Sequence, residues 1–247
     1  MRRIAIVLLA ITLAPALWAV EGIPDWSRTL DEVLRRAEAE AASTKPLAPP
    51  QPSATQALHP AIEGFLSYYQ GAGAKTWNHG VERLQRHRVM FAAAFREQRV
   101  PEELLWLGLV ESGYRAAARS PKDAVGVWQF IPETARRFGL IVNRKRDERT
   151  DTPKATRAAA RYLRFLYDTF GDWNLALAAY NAGEGRVRDA IARSQSRDFW
   201  TIAARGFLPR ETTAYVPAVL AAQALGEGKA TPPSERRTVE ATFSLSE

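Results

Sequence analysis

The chain has 247 residues, 46% hydrophobic and 25% charged, a globular composition with length for one compact domain plus an extension. It has no cysteine, and its three histidines, His59, His79 and His87, fall outside any ligand spacing, so disulfides, metal sites and a Ser-His-Asp triad are set aside. A formal net charge of +7 favours polyanionic partners, but the arginines are scattered and form no block that marks a nucleic-acid surface.

Arg2 and Arg3 precede an almost continuous apolar run, Ile4 to Leu13, and small residues follow. That is the layout of a secretory signal peptide, expected to occupy residues 1–19 with cleavage after Ala19 or Ala16. The run falls short of the roughly 20 residues that span a bilayer. No cysteine follows it for lipid attachment. The expected mature protein is periplasmic, without a stable membrane anchor.

Residues 20–42 form an expected N-terminal helix, with Trp26, Leu30, Val33, Leu34, Ala37 and Ala41 near helical spacing. A Pro-, Ser- and Thr-rich linker follows over 43–56. From Pro60 onward almost every segment reads as helix: 60–70, 76–99, 101–113, 132–138, 153–170, 173–181, 184–194 and 210–225. Thr152-Pro153 reads as a cap with a first-turn proline, Gly171 as a stop, and Asp172 as the next cap. Pro217 is expected to kink or divide the last long helix. No stretch alternates as a strand. The polar residues 227–247 read as a loosely held tail. The fold class is therefore all-α, one helical domain over 57–226 behind a helical N-terminal extension.

Within PEELLWLGLVESGY, Glu102 and Glu103 sit in the first turn, where the helix dipole favours negative charge. Glu111 sits in the last turn, where the dipole opposes it. One and two turns back lie Leu107, Gly108 and Leu104, so Glu111 shares the apolar stripe. Burial and dipole both push its pKa upward, the state a general acid needs near neutral pH. From this helix alone a buried glutamate paired with Arg115 or Arg119 is the better reading.

The surrounding words narrow the choice. VESGY (Val110 to Tyr114), Ser120, AVGVWQFIPETARRFGL (Ala124 to Leu140) and AYNAGEGRV (Ala179 to Val187) occur in that order. Together they resemble the catalytic domain of family-1 lytic transglycosylases, the goose-lysozyme-like fold, across residues 60 to 225. PEELLWLGLVESGY and PRETTAYVP (Pro209 to Pro217) resemble the D-type membrane-bound murein transglycosylases in particular.

The resemblance implies roles. Glu111 matches the sole catalytic acid and base. Ser120 and Gln129 match polar residues around the sugars' N-acetyl groups. Tyr180 and Asn181 match the wall facing the glutamate, and Glu211 and Tyr215 match a segment closing the far side. It further implies peptidoglycan glycan strands as substrate and no cofactor; a monomer is expected, the histidine and cysteine count argues against a metal, and export with scattered arginines argues against nucleic acid. Relatives of this type commonly carry lipid anchors and wall-binding repeats, and neither is expected here.

The residues add physical reasons. Gly126 suits a tight turn, whether to let backbone approach a sugar or simply to turn. Tyr180 offers a hydroxyl donor near a scissile oxygen or near Glu111, or is simply a core tyrosine on an alanine-rich helix, an equal reading without the resemblance. Gln129, polar between Trp128 and Phe130, must bind either backbone or an acetamido group, with the ligand favoured. Trp106, Trp173 and Trp200 read as core, and Asn143 to Arg146 as a solvated loop.

Glycosidases usually place two carboxylates across the bond, and only one stands here at a matched position. Asp123, Glu133 and Asp151 lie outside the pattern. One carboxylate makes substrate-assisted chemistry the more natural, and the resemblance implies a nonhydrolytic reaction in which the muramyl 6-hydroxyl closes a 1,6-anhydro ring. A lysozyme-type hydrolase and a non-catalytic wall-binding protein are the alternatives.

Overall fold

A computed structural model describes residues 59–229 of the protein. The expected signal segment, the 20–42 helix, the 43–56 linker and the tail beyond Lys229 lie outside the described residues. Nine α-helices and two short 3₁₀ turns are present among them, and no strand. Helix α1 runs Pro60–Gln70 and α2 Ala74–Glu97. A 3₁₀ turn at Glu102–Trp106 leads into α3, Leu107–Ser112. After a long loop come α4, Pro132–Arg137, and a second 3₁₀ turn, Glu148–Thr150. Then follow α5, Thr152–Phe170; α6, Trp173–Ala182; α7, Glu184–Ser194; α8, Phe199–Ala204; and α9, Arg210–Gly226.

The apolar pattern explains the packing. In α5, Ala155, Ala158, Ala159, Tyr162, Leu163, Leu166 and Phe170 recur at three- and four-residue spacing and are buried as one stripe. Helix α6 is buried nearly all round, from Leu175 to Ala179, because it is wedged between α5 and α9. Helix α9 also lies along α1 and against α3, which brings the two ends of the described chain together. Small residues make this approach possible: Ala214, Ala218, Ala221 and Ala222 of α9 are all buried. Phe65, Leu84, Phe91 and Phe95 fill the other half of the core, each stabilising it by about 1.5–3 kcal/mol.

Several local expectations are corrected. The cap of α5 is Asp151, whose carboxylate accepts from the Lys154 amide, so Thr152 is already helical. The expected helix over 101–113 divides into the 3₁₀ turn and α3. Pro217 does not divide α9, which runs unbroken through it. Helix α8 carried no strong periodic signal over its six residues. The start of the tail is held firmly: Glu227 accepts from the Trp106 indole at 2.8 Å and pairs with Arg88 at 3.5 Å. Gly226 lies so close to the Trp106 ring that a Cβ would fall 1.9 Å from it. Gly171 in the left-handed region and Asp172 as cap behave as expected. Trp106 is buried and stacked on Trp77, while Trp173 and Trp200 pack on the core edge. No helix among the described residues is long and apolar enough to cross a membrane.

Candidate active site

Glu111 stands in the last turn of α3, and Gly113 ends that helix in the left-handed region. The Gly113 amide donates to Leu109 and the Tyr114 amide to Gly108, closing the free carbonyls. This sharp end frees the chain to leave α3 into the 114–131 loop directly beside Glu111. Gly108 makes room for Tyr114, whose ring would otherwise meet a Cβ at 2.6 Å.

That loop is tied to α3 and to its neighbours by backbone carbonyls. Ser112, buried next to Glu111, donates to Val127 O at 2.8 Å and accepts from the Arg115 amide at 3.1 Å. Tyr180, on α6, donates to Trp128 O at 2.8 Å. The Trp128 indole donates to Thr156 on α5 at 3.0 Å. From outside, Arg149 acts as a clamp. Its guanidinium, almost fully buried, donates to Asp123 O at 2.6 Å and Phe130 O at 3.1 Å, and forks onto Asp147 at 2.8 and 2.9 Å. The close approach at Gly126 is to this segment: a Cβ there would fall 2.0 Å from Arg149 O, and φ is +86°. Gly126 thus serves backbone packing.

The Glu111 carboxyl meets α9. Tyr215, buried, donates its hydroxyl to Glu111 Oε1, a contact between residues 104 positions apart. Neither arginine considered from the sequence is the partner. Arg115 Nε donates to Ser112 O, and Arg119 pairs with Asp147. Burial pushes the Glu111 carboxyl up to about 8; the Tyr215 hydrogen bond works against this, and the negative charge of Glu211 adds to it. Burial also raises the Tyr180 and Tyr215 phenols well above their usual range, with the Glu111 charge contributing to both. Glu111 is therefore a neutral acid near pH 7, bordered by two neutral phenols.

The other residues singled out from the sequence form two groups. Asn181 and Glu211 meet at the open rim, Asn181 Nδ2 lying 3.5 Å from Glu211 Oε1. Thr212 donates to Asn181 Oδ1 at 2.8 Å, and Lys122 reaches across from the loop to Glu211 at 3.5 Å. Ser120 and Gln129 lie on the loop, with no bond to Glu111. Ser120 Oγ accepts from the Ala124 amide at 3.0 Å, and Gln129 Nε2 donates to Gly126 O at 2.7 Å and Ala118 O at 3.4 Å. The amide nitrogen of Gln129 thus binds backbone, one of the two kinds of partner expected of it. Tyr180 likewise bonds the loop and not Glu111.

Ser112, Lys122, Thr212 and Arg149 were missed. Ser112 was legible in principle, as a small polar residue on an apolar stripe beside the glutamate. Arg149 sits in a charged run, DERTD, where nothing local separates a clamp from a solvated charge. The run at Asn143 to Arg146 is an exposed turn, as expected, with Asn143 Oδ1 accepting from two amides. Asp123 pairs with Arg149, Asp151 caps α5, and Glu133 opens α4 on the surface. Among the described residues no group of three or more potential metal ligands is present.

Residues 88–203 match the transglycosylase SLT domain. This stretch is just under half of the chain. Glu111, Ser120, Gln129, Tyr180 and Asn181 lie inside the matched stretch, and Glu211 and Tyr215 come to it on α9. The membrane-bound lytic murein transglycosylase D of Escherichia coli (strain K12) is 41% identical over 153 residues, 60% of this chain and 33% of that protein. The soluble lytic murein transglycosylase of the same strain is 28% identical over 163 residues, 63% of this chain and 25% of that protein. The chain thus spans about a third or less of these relatives. The solved 70 kDa soluble lytic transglycosylase of Escherichia coli is similar with a TM-score of 0.52 at 26% identity, over 66% of this chain and 27% of that one. The described residues therefore have the helical, lysozyme-like fold of the lytic transglycosylases.

Proposed function

We propose that the protein is a periplasmic lytic transglycosylase, cleaving the bond between N-acetylmuramic acid and N-acetylglucosamine in peptidoglycan. The observation that carries this reading is the Glu111 carboxyl, pushed up to about 8 by burial and held by the Tyr215 hydroxyl at the junction of α3, the loop and α9. A carboxylic acid that keeps its proton at neutral pH can give it to a poor leaving oxygen.

In the proposed sequence Glu111 protonates the glycosidic oxygen and the glucosamine departs. The muramyl acetamido oxygen stabilises the anomeric carbon. The Glu111 carboxylate, still oriented by Tyr215, then takes the proton of the 6-hydroxyl as that oxygen closes a 1,6-anhydro ring. The proton inventory balances, and no water is consumed. Intramolecular attack by a tethered hydroxyl has a high effective concentration. Asn181, Glu211, Ser120 and Gln129 line the sugar path in this scheme, and Tyr180 holds the loop that forms its wall.

The absence of a matched second carboxylate favours ring closure over hydrolysis. Asp123 and Asp151 are engaged in the fold, and Glu211 is an exposed rim residue next to Lys122. Mass spectrometry of muropeptides released from purified sacculi tests the proposal. Products lighter by one water than lysozyme products, resistant to borohydride and unlabelled in heavy-oxygen water, are expected. Reducible, labelled muramic ends would make the protein a hydrolase on the same bond, and binding without release would make it a non-catalytic wall protein.

A further inference from the structure

Beside the Asn181–Glu211 rim lies a second concavity of about 320 Å³, between α7 and the 206–209 turn. Its wall on α7 carries Arg186, Asp189, Ala190 and Arg193, spaced three and four apart, so they share one face. Phe207 and Leu208 form the opposite, apolar wall. Among the described residues neither Arg186, Arg193 nor Asp189 makes an ion pair. The Arg193 guanidinium lies 5.2 Å from the centroid of the Phe207 ring, and Arg205 lies 5.1 Å from the same ring while donating to Ser194 O at 2.7 Å. The position of the Arg193 charge is therefore set by packing, which lowers the ordering cost of using it.

Resting on the transglycosylase reading, we infer that this groove binds the stem peptide that branches from the glycan strand, through a carboxylate on Arg186 and Arg193 and an ammonium on Asp189. Three features select that ligand class. Two guanidiniums against one carboxylate favour an anion, and Arg is suited to planar carboxylates. The carboxylate on the same face disfavours a phosphate dianion and offers a partner to an amine, so a zwitterionic chain fits better than a polyphosphate or lipid headgroup. The walls of Ala190, Phe207 and Leu208 suit small alkyl side chains between the charges. The chain path supports the placement: α7 starts two residues after Ala182 ends α6, and Pro209, also lining the groove, caps the helix whose first turn holds Glu211. A peptide leaving a sugar in the cleft therefore meets this groove at the rim.

The test is calorimetric titration of the full chain with the free tetrapeptide L-Ala-γ-D-Glu-meso-diaminopimelate-D-Ala, which has no glycosidic bond and is not turned over. Saturable binding is expected, weakened about tenfold in Arg186→Ala and in Arg193→Ala, both surface changes that leave Tm unchanged. Asp189→Asn should weaken the free peptide and leave an N-acetylated, amine-blocked peptide unaffected. No binding, equal binding by the arginine variants, or displacement of the peptide by inorganic phosphate or anionic phospholipid vesicles overturns the inference. Sacculus digestion by the same preparation separates the two readings: digestion without peptide binding removes the groove and keeps the enzyme, and the reverse result removes the enzyme.

Discussion

The hydroxyl of Tyr215 donates to the carboxyl of Glu111, joining the last turn of α3 to the second turn of α9. Burial raises the Glu111 pKa, this bond lowers it, and the Glu211 charge raises it again. The two neighbours therefore predict opposite shifts. Tyr215→Phe should move the alkaline limb of the pH–rate profile upward, and Glu211→Gln should move it downward, because one variant removes a lowering contact and the other a raising charge. The wild-type limb is expected near pH 8, where Glu111 loses the proton it must donate. Sacculus digestion from pH 5 to 10 measures all three. Shifts of the same sign in both variants would refute the assignment.

Glu111→Gln should abolish digestion, a loss of at least about 10²–10⁴, since the amide cannot transfer a proton to the leaving oxygen. Stability should move the other way. A carboxyl raised in the folded state ionises in the unfolded chain first, so stability falls as pH rises from about 4.5 toward about 8. At pH 7.5 the variant should melt about 3–6 °C higher, the shift of ~1–2 kcal/mol in a domain of this size, and at pH 4 the two should coincide. Melting curves at the two pH values check this.

Gly126→Ala should be severely destabilising. The left-handed φ and the Arg149 carbonyl 2.0 Å from the new Cβ leave only a backbone shift as relief. A cost of about 3 kcal/mol, or about 6–12 °C in Tm, is expected, together with loss of digestion as the loop leaves Glu111. A variant with wild-type Tm would show that the loop is held more loosely than its packing implies.

Arg149→Lys should cost nearly as much, about 3 kcal/mol, although charge is retained. Lysine has one ammonium where Arg149 bonds two carbonyls and forks onto Asp147. Urea unfolding with an unchanged m-value would locate the loss in the folded state.

His59 provides a pH-sensitive cap. Its Nδ1 accepts from the Ala61 amide at 3.2 Å, its ring stacks on Trp200 at 4.0 Å, and burial lowers its pKa. Only the neutral ring can accept. The unfolded chain takes up the proton first as pH falls through 6.5, so this contribution is full above that value and lost below it. His59→Asn keeps a capping acceptor without the titration, and its Tm should vary less between pH 7 and 5 than that of the wild type.

The sequence by itself determined most of the longer helices and several of their stops, because those depend on spacing and caps within a few residues. The helix of α5, the stop at Gly171, the cap at Asp172 and the bounds of α1 and α7 were all legible in this way. It also marked Glu111, as a carboxylate on an apolar stripe at a helix end. What the glutamate touches was decided only by tertiary structure. Its partner, Tyr215, is supplied by α9, and the packing of α9 against α1, α3 and α6 puts it there. Gln129 shows the same limit from the other side. Its place between aromatic residues was readable, but its backbone contact depended on a left-handed turn that brings its amide to Gly126 O. Arg149 carried no local signal, since a buried clamp and a solvated charge have the same sequence. Only the carbonyls of Asp123 and Phe130, converging from across the loop, distinguish them.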